Sequence, residues 1–241
     1  MFRINTSQRT DEAEIMDDFN LQGPELKRTL KDLENINFLL GGNSITLDGV
    51  KHLVRKHPEK KKFCIIDVGC GNGDLIRRLA NWGRKNDYSL RLTGIDANSH
   101  AIELARKDSE AFPEIDYKNL DIFSDQFQSL EADIILCTLT LHHFKNDQIL
   151  SLLKAFYQQA KIGIVINDLH RTRLAYFLFQ LFCAGFVRNE IARKDGLTSI
   201  LRGFKKVEVE SFAKELQGKH YIKWKWAFRY QWIIEKEETN L

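Results

Sequence analysis

Between residues 63 and 168, short apolar runs alternate with stretches whose apolar positions recur every three or four residues. FCIIDV (63–68), LRLTGID (90–96), IDYKNLD (115–121), ADIILCTLT (132–140) and KIGIVIND (161–168) read as buried strands. Between them, DLIRRLANWG sets Leu75, Ile76, Leu79 and Ala80 on one helical face. SHAIELARKDSEA (99–111) predicts a helix capped by Ser99, and NDQILSLLKAFYQQA (146–160) another. This rhythm predicts an α/β fold: a Rossmann-like, doubly wound, seven-stranded, mostly parallel sheet with right-handed crossovers. After a helix near 207–217, YIKWKWAFRYQWIIE (221–235) reads as two antiparallel strands, closing the sheet with an antiparallel C-terminal strand.

The flanks follow a different pattern. PELKRTLKDLENINFLL (24–40) opens on Pro and spaces Leu26, Leu30, Leu33 and Leu40 as a helix; GGN (41–43) stops it, and a second helix is expected over 46–57. The basic EKKK (59–62) reads as a linker, dividing an N-terminal helical cap (1–62) from the main domain (63–241). Leu174 to Val187 is apolar over fourteen residues, too short for the roughly 20 a spanning helix needs. It reads as a core helix or, within a helical insertion at 170–203, as a lid. Peripheral contact with a membrane stays open, but no span is expected.

Composition narrows the classes. With 29% charged and 11% aromatic residues in 241 the chain can bury a core, and three prolines with fourteen glycines exclude a collagen-like or Pro-rich protein. Cys64, Cys70, Cys137 and Cys183 form no CxxC pair, so neither a disulfide framework nor a zinc site is expected, and no metal. The N-terminus has no apolar core of a signal peptide, and a cytoplasmic protein is expected. Residues 161–241 carry 15 Lys+Arg against 9 Asp+Glu; such a surface suits nucleic acid, anionic lipid or an acidic substrate, or is merely solvated.

The chemistry concentrates in IIDVGCGNGD (65–74). Gly69, Gly71 and Gly73 follow a strand and open a helix, where bare backbone amides can approach a ligand. Dinucleotide-binding turns share the device, but Asp74 stands where their third glycine would fall. Asp67, two residues before the first glycine, suits a cationic amino group and would repel a pyrophosphate. Asp96 ends the second strand, where its two oxygens can accept ribose hydroxyls, and Asp121 ends the third, where it can accept from an adenine amine.

In this order DVGCGNGD, GIDAN, NLDIF and ADIILCTLTLHHF resemble the four motifs of class I S-adenosylmethionine (SAM)-dependent methyltransferases. The resemblance implies SAM as cofactor and S-adenosylhomocysteine (SAH) as product. It assigns the methionine end to Asp67, Gly69, Gly71 and Gly73, ribose and adenine edge to Asp96 and Ala97, adenine to Asp121 and Ile122, and the sulfonium surroundings to Cys137 and Thr138. The LHHF ending is similar to ubiquinone/menaquinone-type small-molecule methyltransferases. The flanking segments resemble a bacterial subgroup associated with type III polyketide synthases, which implies polyketide, phenolic or quinone-like acceptors.

Methyl transfer to a hydroxyl needs alignment and a base. His142, His143 and His170 are the candidate bases, each with a structural alternative. Arg171, Arg173 and Arg202 are candidates to orient an anionic acceptor; Tyr176, Phe177, Gln180 and Phe186 are candidates to line its pocket. The expected reaction is O-methylation of a small hydrophobic acceptor. C-methylation of a quinone-type ring and an RNA or protein methyltransferase are the alternatives. Against nucleic acid, the fourth strand ends CTLT rather than in the [DNS]PP[YF] motif that grips a base amine. The sequence gives no oligomeric state.

Overall fold

A computed structural model describes residues 4–237; residues 1–3 and 238–241, the outer ends of the two expected segments, lie outside the described residues. Strands β1 (Lys62–Val68), β2 (Ser89–Asp96), β3 (Ile115–Asn119), β4 (Ala132–Thr138), β5 (Ala160–Leu169), β6 (Lys219–Lys225) and β7 (Arg229–Glu235) form one sheet in the order β3-β2-β1-β4-β5-β7-β6. The first five are parallel; β7 runs antiparallel to β5, and β6 antiparallel to β7. Strand order therefore reverses at β1/β4. In an open α/β sheet ligands bind outside the strand C-termini at this reversal.

Helices cover both faces. α2 (Gly42–Arg55), α3 (Asp74–Lys85) and α4 (Ser99–Asp108) pack Val50, Leu53, Leu75, Ile76, Leu79 and Ile102 against one. α5 (Asp125–Gln128), α6 (Asn146–Gln159) and α9 (Lys206–Lys214) pack Phe127, Leu153, Phe156 and Val209 against the other. α1 (Gly23–Leu39), α7 (Arg173–Phe186) and α8 (Glu190–Arg202) stand outside these layers, α7 against α8 and α8 against both α1 and a short 3-10 turn, Ile15–Asp17.

Two local readings change. α2 begins at Gly42 rather than near 46: Gly41 alone makes the left-handed break (φ 71°), and buried Asn43 ties the first turn to Asp74. The cap of α4 is Asn98, not Ser99, its side-chain oxygen accepting from the His100 and Ala101 amides.

Candidate functional site

A cavity of about 1170 Å³ opens over the C-terminal ends of β1, β2, β4 and β5. Single small ligands commonly occupy roughly 300–1,000 Å³, so there is space for two molecules side by side.

One half of its wall is the glycine turn. The Gly69 and Cys70 amides donate to the Ile95 carbonyl, pinning the turn to β2. Gly71 (φ 52°) donates to Asp96 Oδ2 at 2.9 Å, while Asp96 Oδ1 accepts from the Asn98 amide. A Cβ on Gly71 would meet only Leu30 Cδ2, 3.6 Å away, so the open side of this residue faces the cavity. Gly73 plays another part, since a Cβ there would lie 2.1 Å from the Tyr117 hydroxyl; it lets α3 start close to β3 and is not on the wall.

Asp67 is buried at the wall, and burial, reinforced by the charge of Asp96, pushes its carboxyl up to about 8. Burial likewise raises Asp96, against the pull of the Asn98 and Gly71 amides. A buried carboxyl whose charge a second carboxylate also disfavours calls for a cationic or hydrogen-bond-donating ligand. Ala97, Asp121, Ile122 and Thr138 complete this half. Cys137 is buried inside β4, away from the wall.

The middle holds two histidines from a 3-10 turn, Leu141–His143, that follows β4. His142 Nδ1 lies 2.7 Å from Asp168 Oδ1, and His143 Nδ1 lies 2.6 Å from Asp17 Oδ1. Their Nε2 atoms face Glu14, at 3.4 Å and 4.0 Å. Burial works against a charge on His142, but Asp168 and Glu14 override it and raise the imidazole to about 9. Glu14, also penalised by burial, is held below its ordinary value by His142 and His143. Glu14, His142 and His143 bring ligand atoms within 4.8 Å of one another, the spacing of a metal-binding trio. Arg202 already supplies a cation: its Nη1 is 2.6 Å from Asp17 and 3.5 Å from Glu14.

Residues 65–163 match the family described as Methyltransferase domain. The chain is 28% identical to the mitochondrial ubiquinone biosynthesis O-methyltransferase of Schizosaccharomyces pombe, over 93% of this chain and 80% of that one. The chain is a SAM-dependent methyltransferase. Its fold is similar to that of the plantazolicin methyltransferase BpumL, solved with SAH (TM-score 0.66, 16% identity, 89% of this chain and 91% of that one). It is also similar to magnesium protoporphyrin IX methyltransferase from Synechocystis PCC 6803, solved with SAM (TM-score 0.60, 12% identity, 95% of this chain and 100% of that one).

The other half of the methyltransferase's cavity is helical. α1 contributes Leu30, Leu33, Ile36 and Asn37, followed by Leu40, while α7 contributes Ala175, Leu178, Phe179 and Phe182. The α7 residues stand at i, i+3, i+4 and i+7, one stripe of the helix. Tyr176 and Phe177 lie off that stripe and do not reach the wall, nor do Gln180 and Phe186. His170 is also elsewhere: it accepts from Trp224 Nε1 and packs on Tyr230, and burial with Arg171 and Lys205 lowers its pKa.

The arginines expected to meet an acceptor are committed within the protein. Buried Arg171 donates to the Thr6 and Gly203 carbonyls and pairs with Glu208. Arg173 donates to the Ile4 carbonyl, and Arg202 to the His143 carbonyl. The arginine that does line the wall is Arg229, at the start of β7. Sequence reasoning missed it, along with Glu14, Asp17 and Asn37. A lone Arg amid the aromatic residues of a closing strand carries no local signal of a site.

Proposed function

We propose that this methyltransferase transfers the methyl group of SAM to a hydroxyl of a small, hydrophobic, phenolic, polyketide or quinone-type acceptor. The observation that carries this reading is the two-part cavity, a carboxylate-lined glycine turn continuous with an apolar helical chamber and two histidines at the junction. Bound SAM supplies a methyl group on a positively charged sulfur. Asp67 and the Gly69–Gly71 backbone would hold the methionine end, and Asp96, Ala97, Asp121 and Ile122 the adenosine. A cationic ligand fits Asp67: burial beside Asp96 raises its carboxyl to about 8, and an ammonium group at the wall would favour its ionised form.

In this reading the neutral form of His142, a minority at pH 7 that grows as pH rises toward 9, takes the acceptor's proton on Nε2. Asp168 holds Nδ1, so proton exchange is left to Nε2, which lies 3.4 Å from Glu14. α1, with the 3-10 turn Ile15–Asp17, and the helices of 170–203 serve as cap and lid, excluding water while the hydroxyl aligns, whereas α2 belongs to the sheet's own core. No metal takes part. The four free cysteines agree with a cytoplasmic location. Among the described residues no helix is long and apolar enough to cross a membrane. We read the exposed side of α7 (Leu174, Phe177, Leu181 and Phe186) as a peripheral contact through which a lipid-dissolved acceptor enters.

The test is turnover with [methyl-13C]SAM on a panel of alkyl phenols, alkyl pyrones and hydroquinones, read by NMR. A labelled methoxy signal is expected. A labelled ring-methyl signal would turn the reading to C-methylation, and SAH release only with RNA or protein would overturn the acceptor class.

A further inference from the structure

Arg229 is 2% exposed, yet its guanidinium is half unsatisfied. Nη2 donates to Asn37 Oδ1 at 2.8 Å, whereas Nε and Nη1 have no hydrogen-bond partner among the described residues. No carboxylate there comes within ion-pair distance of it. Asp168 favours its charge from further off, but the oxygens of Asp168 accept from His142 and Leu169. Burial lowers Arg229 only to about 10, so it stays cationic at neutral pH.

The location is built rather than incidental. Along β7, Gln231 donates to the Ile45 carbonyl of α2 and Ile233 packs in the same core layer as that helix. Strand alternation puts Arg229 on this face too, beneath the α1–α2 junction. A Cβ on Gly42 would come 2.7 Å from Asn37 Oδ1 and 2.8 Å from Arg229 Nη1, so the guanidinium occupies space that only a glycine leaves. Arg229 lines the cavity, as do Leu40, Leu169 and Phe228. A buried cation without a counter-charge is costly to keep and is expected where a ligand completes it.

We propose that Arg229, steadied by Asn37, receives an acidic oxygen of the methyl acceptor, a carboxylate or an enolate ionised at neutral pH. The acceptor is then an apolar acid rather than a neutral lipid. This rests on reading the helical chamber as the acceptor site.

The test uses the full chain saturated with SAH and two matched pairs of probes in calorimetry. 3-Hydroxy-2-naphthoate against its methyl ester reads a carboxylate; 4-hydroxy-6-hexyl-2-pyrone against its 4-methyl ether reads a ring enolate. At least one acid should bind about 10-fold or more tighter than its neutral partner. Arg229→Gln should erase that preference, and Arg229→Lys should keep part of it. No preference in the wild type, no binding of any of the four probes, or a preference that survives Arg229→Gln would overturn the proposal. Without probes, Arg229→Met should melt at or above the wild-type temperature, because it removes an uncompensated charge. A clear drop would mark the arginine as a structural strut. If Arg229→Gln fails to fold, the wild-type pairs and Arg229→Lys decide. SAH binding in the same samples separates the two readings: its loss defeats the proposed function, whereas SAH bound with no acid preference defeats this inference alone.

Discussion

His142 and Asp168 form a buried pair, Nδ1 to Oδ1 at 2.7 Å, and Asp168 Oδ2 also accepts the His142 backbone amide at 3.2 Å. The carboxylate thus grips both main chain and ring, fixing the imidazole's orientation and holding a proton on Nδ1. Whatever proton chemistry His142 performs must use Nε2, the atom beside Glu14.

His142→Gln should therefore lower kcat by about 10²–10⁴-fold, the usual range for a lost general base, with SAH affinity unchanged. Asp168→Asn should lower kcat less, since the base remains but its orientation is no longer enforced. Steady-state kinetics beside SAH titrations check both. An unimpaired His142→Gln enzyme would remove the histidine from the reaction.

The same pair makes ligand-free stability depend on pH. His142 has a folded-state value of about 9, above the roughly 6.5 of an unfolded histidine. The stabilisation is fully present below that unfolded value and is lost as pH rises through the folded one. The urea midpoint should thus fall between pH 6.5 and 9 in the wild type. In His142→Gln this fall should shrink. Equal slopes in both proteins would show that the pair contributes nothing.

Cofactor affinity should respond to the glycine turn and its carboxylate separately. Asp96→Ala removes an acceptor of charged hydrogen bonds, worth about 1.5–3 kcal/mol, and should weaken SAH roughly 10- to 100-fold. Gly71→Val adds a branched side chain on the side open to the cavity, at a φ of 52° that disfavours it. It should abolish measurable binding. Undiminished calorimetric titrations in both variants would remove the turn from the cofactor site.

The parts of this architecture that are local in sequence were legible there. Five strands, the glycine turn, and Asp67, Asp96 and Asp121 follow from apolar runs and the residues that end them. The helical half was legible as segments, an N-terminal cap and a lid or core helix, but not as a set of meeting side chains. Glu14 and Asp17 meet His142 and His143 across more than a hundred residues, and no periodicity encodes that meeting. Arg171 and Arg202 sit near the right strand but turn to backbone carbonyls and carboxylates contributed from afar. In α7 the apolar residues surround the helix so evenly that sequence does not reveal which stripe, 175/178/179/182, turns inward. Tyr176 and Phe177 fall off that stripe, so the helical angle keeps them from the cavity.

Chelators should leave activity unchanged. Glu14, His142 and His143 have metal-ligand spacing, but Arg202 supplies a resident positive charge and a proton on His142 supplies another. A divalent ion would have to displace that proton and sit beside the guanidinium. Turnover in EDTA equal to turnover in added Mg²⁺ or Zn²⁺ is expected. Activity lost to EDTA and restored by one metal would make the trio a metal site.

The outward side of α7 gives the last expectation. Leu174, Phe177, Leu181 and Phe186 are 59%, 40%, 71% and 74% exposed, an unusual share for one helix of a water-facing surface. Arg173 and Arg188 flank it, and no acidic residue occurs between Asp168 and Glu190. Leu178, half exposed, also lines the cavity, as does exposed Trp226, so the apolar face borders the chamber mouth. Basic flanks around an apolar face complement an anionic bilayer, each Lys or Arg near the surface adding about 1 kcal/mol. The protein should therefore sediment with vesicles containing phosphatidylglycerol, and less with pure phosphatidylcholine, more weakly as salt rises. Leu181→Asp with Phe186→Asp should abolish sedimentation and leave SAH affinity intact, since neither side chain reaches the cavity. If the wild type ignores vesicles and instead runs as a dimer that the double variant dissolves, a second copy covers this face. The membrane reading is then wrong.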